Sequence, residues 1–339
     1  MPPADPTREP KSVAVPALVE PSGLPSVPAV SAEVVRHEAE AAAAFARAEK
    51  ADATRRAYRS DWRRFEAWCA SRGTAPLPAA PEAVAAFLAA EAAAGTKPST
   101  LARRAAAIRY AHRLAGHESP TNAEAVRATL RGIRRTLGAA PAQKAPATAS
   151  RIAAMAALAP AGTLRGLRDR ALLLLGFAGA FRRSELVALR VEDLVETPDG
   201  LRIVIRRSKT DQEGAGQEVA IPHGARLRPV EAVRAWLDAA GIASGPVFRR
   251  VRKNGLIGDE ALTAEAVALV VKRYADGAGF RSDDFAGHSL RSGFLTSGAE
   301  NGASVFKLME VSRHKSMATL RGYVRRAELF KDHAGAEFL

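Results

Sequence analysis

Residues 285–323 read FAGHSLRSGFLTSGAENGASVFKLMEVSRHKSMATLRGY, and the rest of the chain is arranged around them. His288 and Arg291 are three apart, so a helix starting at Ser289 or just before it projects both side chains from one face of its first turn. Unpaired N–H groups and the positive dipole at that end favour an anion. His314 stands in a polar break, SRHKS, between two short helical patterns, and Tyr323 falls nine residues later on a helix beginning near Ser316. Two imidazoles, a guanidinium and a phenol together suit a phosphate, with the phenol as nucleophile.

Working outward, residues 151–339 carry mainly helical patterns. RIAAMAALA is a short helix, LRDRALLLLGFAGA a strongly apolar buried one, and FRRSELVALRVEDL a turn followed by a second helix. The period then changes. LRIVIRRS alternates apolar and polar residues, and QEVAIP repeats the signal after KTDQEGAG, which predicts a β-hairpin with Lys209 at the end of its first strand. Helical patterns return over Leu227–Ala240 and Thr263–Gly277.

Upstream, residues 138–150, GAAPAQKAPATAS, have the composition of an exposed linker. Before it, residues 50–137 read as a small four-helix domain. Tyr58, Trp62, Phe65 and Trp68 form a core-facing stripe, with Arg55, Arg59 and Arg63 opposite it. Pro81 opens a second helix, Ser99 caps a third that shows Arg103, Arg104 and Arg109, and a fourth shows Arg131 and Arg134. Arginine repeated on several helices of one small domain points to contact with a nucleic-acid backbone. Residues 31–49 are an alanine-rich marginal helix. Residues 1–30 hold eight of the twenty prolines and read as a disordered lead-in. The fold class expected is mainly α (α+β).

Composition agrees with this reading. Fifty Lys+Arg against 36 Asp+Glu give a formal charge of +14, which favours a polyanionic partner. One cysteine, Cys69, excludes an internal disulfide and a cysteine-rich metal site. The longest apolar run, 171–181, is short of the roughly 20 residues a bilayer needs, so a soluble, intracellular protein with no membrane partner is expected.

AFRRSELVAL, SKTDQEG, HSLR and SRHKSMATLRGYVR, in that order, resemble the tyrosine recombinases, the phage integrase family. The resemblance covers residues 151–339, and the preceding helices look like that family's core-binding (SAM-like) domain. Position by position, it implies a first catalytic arginine at Arg182, supported by Glu185, a hairpin lysine at Lys209, the HxxR pair His288 and Arg291, the second histidine His314, and the nucleophile Tyr323. Arg183 leaves the register of the first arginine open, and the following SEL favours Arg182. Arg313 stands where the family usually has glycine; it either alters the local turn or adds a DNA contact.

What the resemblance implies is a site-specific recombinase or integrase that cuts and rejoins double-stranded DNA through a 3′-phosphotyrosyl bond, without metal, ATP or cofactor. It further implies a homotetramer on DNA from a monomer or dimer in solution, a C-terminal tail packing on a neighbouring protomer, accessory DNA-bending or directionality proteins, and action at the nucleoid in a bacterial cytoplasm. The alternatives are a type IB topoisomerase-like nicking-closing enzyme and a catalytically silent DNA-binding regulator.

Overall fold

A computed structural model describes residues 49–138, 144–206 and 216–314, with parts of the flanking segments 36–41 and 316–323. The expected lead-in, most of the marginal helix, Lys209 and the tail beyond Tyr323 lie outside the described residues. The chain divides into two compact units, Met1–Pro141 and Ala142–Leu339.

Between residues 49 and 138 the first unit holds four α-helices: α1 (Asp52–Ala70), α2 (Pro81–Ala93), α3 (Pro98–Leu114) and α4 (Glu124–Leu137). Phe65, Val84, Phe87, Leu88, Leu101, Ile108 and Val126 fill its core, and Trp62 and Trp68 pack on it half-buried. The aromatic stripe of α1 thus faces inward, because its spacing keeps these residues on one side of the helix. The third helix is started by Pro98 at its first position after Lys97 rather than by Ser99. Proline costs nothing there, since that N–H has no partner inside the helix.

The second unit places α5 (Ala149–Ala157), α6 (Leu164–Ala178), α7 (Arg183–Ala188), α8 (Pro229–Ala240), α9 (Ala264–Gly277), α10 (His288–Glu300) and α11 (Val305–Ser312) beside two small antiparallel sheets. Helix α6 is the central element, with Leu172, Leu173, Leu174 and Leu175 all buried. That is why its sequence is apolar all round rather than on one stripe.

Strands β2 (Gly200–Ile205) and β3 (Gln217–Pro222) pair antiparallel with Leu201 opposite Ile221 and Ile203 opposite Val219, matching the predicted hairpin. The structure adds an edge strand, β1 (Leu194–Thr197), paired to β2. Its side chains are half to fully exposed, so it lacks the alternation that reveals a buried strand. A second hairpin, β4 (Arg249–Val251) and β5 (Ile257–Ala261), turns through Asn254–Gly255, with Gly255 at φ 83°. Its short strands, RRV and IGDEA, carry charged residues and no alternation, so only the Asn-Gly turn signals the hairpin.

The later part of the expected linker is not exposed. Ala145 and Ala147 donate their N–H groups to the carbonyls of Asp284 (2.6 Å) and Ser289 (2.9 Å), and Ala147 is fully buried. Helix α5 then begins two residues earlier than predicted. Gly293 permits this packing, because a Cβ there would overlap the backbone of Ala147. Small residues read as linker composition because they are also what a tight backbone crossing requires.

Candidate functional site

The site forms where the end of α6, the start of α7, the first turn of α10 and the segment after α11 meet. Helix α6 terminates with Ala180 in the left-handed region at φ 45° and the Phe181 N–H bonded back to the Gly176 carbonyl. This turn aims the Ala180 carbonyl inward. It accepts from Arg291 Nη1 at 2.8 Å and from Arg313 Nη2 at 3.2 Å. Arg182 lies just before α7, and the Glu185 carboxylate caps that helix by accepting the Arg182 N–H at 3.0 Å. The same carboxylate takes Arg182 Nη1 at 2.5 Å and Arg313 Nη2 at 2.8 Å. Of the two neighbouring arginines, Arg182 shares the buried carboxylate, while Arg183 is exposed.

Arg291 is 1% exposed, on the inward face of α10. His288, one turn earlier, keeps an exposed surface and brings Nε2 to 3.3 Å from the Tyr323 hydroxyl. Tyr323 itself is half-buried against Leu295, Leu308 and Leu320. Arg313 ends α11 in the left-handed conformation, φ 58°, and this carries His314 back towards Arg291. Ser312 donates its hydroxyl to the Leu308 carbonyl. Its oxygen therefore accepts from His314 Nδ1, 2.7 Å away. That leaves the His314 lone pair on Nε2, to which Arg291 Nη2 donates at 3.2 Å.

Electrostatics follow from this crowding. Three guanidiniums, of Arg182, Arg291 and Arg313, surround the one carboxylate of Glu185, leaving an excess of two positive charges. Burial, then the charges of Arg182 and Arg313, push the Arg291 guanidinium down to about 9, so it stays charged at neutral pH. Burial pushes the Glu185 carboxyl up, but Arg313 and Arg182 outweigh it and hold it below the usual range. His314 is pushed down to about 4 by burial and by Arg291, Arg182, His288 and Arg313. Desolvation, Arg291 and Arg182 also lower His288. Both imidazoles are neutral at pH 7. An anion arriving here meets fixed positive charge that the fold itself leaves unbalanced.

This makes stability pH-dependent in a stated direction. His314 titrates near 4 in the folded chain and near its ordinary 6.5 when unfolded, so between those values the unfolded chain binds more protons. Stability conferred by the neutral ring is fully present above 6.5 and is lost as pH falls towards 4, an effect of about 1–2 kcal/mol once solvent screening of the half-buried ring is allowed for. Glu185 acts in the same sense at the acid end. Urea titrations at pH 7.5 and 4.5 are expected to show that loss, and His314→Gln to reduce the difference; equal stabilities at the two pH values would contradict it.

The structure thus brings Arg182, Glu185, His288, Arg291, His314 and Tyr323 together, while Lys209 lies outside the described residues. Three further groups belong to the arrangement: the Ala180 carbonyl, Ser312 and Arg313. A carbonyl leaves no mark in sequence, and only the arginine before His314 stood out. Neither a merely altered turn nor a surface contact describes Arg313, which is 6% exposed and folded inward. Of the other tyrosines, Tyr58 and Tyr110 pack together in the first unit with centroids 5.6 Å apart. Tyr274 is buried against Asp169, its phenol pushed up to about 12 by burial and that carboxylate.

In the first unit Arg59, Arg63, Arg109 and Arg134 are exposed. Arg55 pairs with Asp52 and Arg131 with Glu124 at the surface. Arg103 is half-exposed while bonding Asp61 at 2.7 Å. Arg104 departs from the expectation of a DNA-facing side chain. It is largely buried between Glu91 and Asp61 and ties α3 to α2 and α1. A buried carboxylate requires a partner, and helical spacing alone does not show which arginine supplies it.

Residues 148–329 match the phage integrase family model and residues 45–119 the phage integrase N-terminal SAM-like domain. An integrase/recombinase xerD homologue of Selenomonas ruminantium is 41% identical over 290 residues, covering 84% of this chain and 85% of that protein. The recombinase cre of Escherichia phage P1 is 26% identical, covering 78% and 82%. Among solved structures, a lambda integrase dimer bound to a COC′ core site aligns with TM-score 0.59 at 18% identity, covering 86% of this chain and 75% of that one. The XerH site-specific recombinase in a post-cleavage complex aligns with TM-score 0.57 at 16% identity, covering 76% and 72%. With half the chain matched by one family model and a relative this similar across most of both lengths, the protein belongs to the phage integrase family.

Proposed function

We propose that the protein is a site-specific tyrosine recombinase that cuts and rejoins double-stranded DNA, with Tyr323 as nucleophile. The observation that carries this is the Tyr323 hydroxyl 3.3 Å from a neutral His288, beside guanidiniums in excess over carboxylate. The relatives and structural neighbours named above are recombinases or integrases, and the two solved structures hold a core site and a palindromic difH substrate, which supports a substrate of that kind here.

The chemistry needs in-line attack, neutralised phosphate oxygens and a proton for the leaving oxygen. The Tyr323 oxygen attacks the scissile phosphorus as its proton passes to His288 Nε2, and the 5′ oxygen of the broken P–O bond leaves. Arg182 and Arg291 hold the non-bridging oxygens with planar guanidinium donors, Arg291 charged at neutral pH. His314 keeps the outer nitrogen of Arg291 aimed at the site. Lys209, in the connection between β2 and β3, is assigned the proton donor to the 5′ oxygen. The product is a 3′-phosphotyrosine, which retains the energy of the broken bond, so rejoining runs the same step in reverse with a new 5′ hydroxyl. Arg55, Arg59, Arg63, Arg103, Arg109, Arg131 and Arg134 are assigned to the DNA backbone. The working unit is assigned as a homotetramer on DNA, at the nucleoid of a bacterial cytoplasm.

The test is direct. Cells expressing the protein are lysed in SDS, protein-linked DNA is recovered and sequenced, and the peptide that retains nucleotide after digestion is identified. The expected result is a shared DNA sequence attached to a peptide containing Tyr323. Attachment elsewhere would reject the nucleophile. No attached DNA from a host carrying the protein's own replicon would favour a silent DNA-binding regulator.

A further inference from the structure

Arg313 is placed as no surface contact would be. It occupies a left-handed backbone position that glycine adopts more readily, φ 58°, and spends that strain on turning a guanidinium into the interior. There it donates to four acceptors: Glu185 Oε2 at 2.8 Å and the carbonyls of Val311 (2.7 Å), Gly179 (3.0 Å) and Ala180 (3.2 Å). It also lies 5.1 Å over the Phe181 ring. Two of those acceptors are shared with the phosphate-binding arginines. Glu185 also holds Arg182, and the Ala180 carbonyl also holds Arg291. One buried side chain therefore fastens α11 to the turn after α6 and sets the partners of both arginines.

We propose that Arg313 is a positioning residue for strand cleavage: by clamping the 179–180 turn and the Glu185 carboxylate together, it aims Arg182 and Arg291 at one phosphate. This rests on the recombinase reading above. Arg313, 6% exposed, acts through those two arginines rather than on the phosphate itself. Its planar, five-donor head is what the role requires, since an ammonium carries only three N–H donors on one atom and falls short of the four acceptors that Arg313 serves.

The experiment is single-turnover cleavage of a nicked duplex carrying the sequence captured with the wild-type adduct, read as SDS-stable protein–DNA. DNA affinity and thermal midpoint are measured beside it. Arg313→Gly relieves the backbone strain, so the turn remains available, and the cleavage rate is expected to fall about 30-fold or more, as misplacement by an ångström costs, with DNA affinity within about threefold of wild type. A methylphosphonate at the scissile position, which carries no charge, then separates positioning from general loosening. On that linkage the penalty is expected to shrink to about threefold, because misaimed guanidiniums no longer limit the rate. Arg313→Lys is expected between wild type and Arg313→Gly, and supplies the same comparison should the glycine variant unfold. Wild-type rates in both variants, or an equal penalty on both linkages, overturn the proposal and leave the recombinase reading standing. A wild type that forms no adduct overturns both.

Discussion

Tyr323→Phe is expected to bind DNA within about twofold of wild type while its SDS-stable adduct falls by at least ~10⁴-fold, to background. The two halves of that result have separate causes. The ring of Tyr323 packs against Leu295, Leu308 and Leu320, and phenylalanine preserves that packing. What is lost is one oxygen, whose proton faces His288. No other tyrosine among the described residues is placed to substitute. Tyr58 and Tyr110 belong to the other unit, and the Tyr274 phenol is buried and pushed up to about 12. Gel-shift titration and adduct counting check the two halves independently. Adduct surviving at a tenth of wild type or more would place the nucleophile elsewhere. Adduct and affinity lost together would make the hydroxyl part of the fold instead.

Arg291→Met is expected to raise the stability of the DNA-free protein while lowering cleavage by about 10³-fold. The catalytic loss is what removing one preorganised charge from a developing phosphorane typically costs. The stability gain is less obvious and follows from the charge arrangement. Arg291 is 1% exposed and faces Arg182 and Arg313, and both burial and those cations lower its pKa to about 9. The folded, DNA-free chain therefore holds this charge against a standing cost. Methionine fills a similar volume, removes that repulsion, and leaves the Ala180 carbonyl still paired to Arg313. A gain of about 1–2 kcal/mol in urea titration is expected, in line with buried ionic groups replaced by apolar ones. A loss of several kcal/mol instead would show that the hydrogen bonds of Arg291 outweigh the repulsion.

Much of the chain was legible because its signals are local. The inward stripe of α1, the all-round apolarity of α6 and the alternation of β2 and β3 each depend on spacing within one element, and spacing is written in order along the chain. His288 and Arg291 likewise share a helical turn, so their common direction followed from being three apart. Strand β1 and the β4–β5 hairpin were not legible. One is an exposed edge without alternation, and the other is built from charged residues around an Asn-Gly turn.

By itself, then, the sequence determined most of the elements, the family, and Arg182, Glu185, His288, Arg291, His314 and Tyr323 among the residues now found at the site. Tertiary structure alone decided which partners those residues have. That Glu185 serves Arg182 and Arg313 at once depends on an approach between residues 128 apart, and so does the contact of His288 with Tyr323, 35 apart. The same holds for Arg104, which three-dimensional packing turns from surface into a buried ion pair with Glu91. The reason is physical. Periodicity selects a face, but a buried charge is satisfied by whichever opposite charge the packing of other elements delivers, and nothing local encodes that choice.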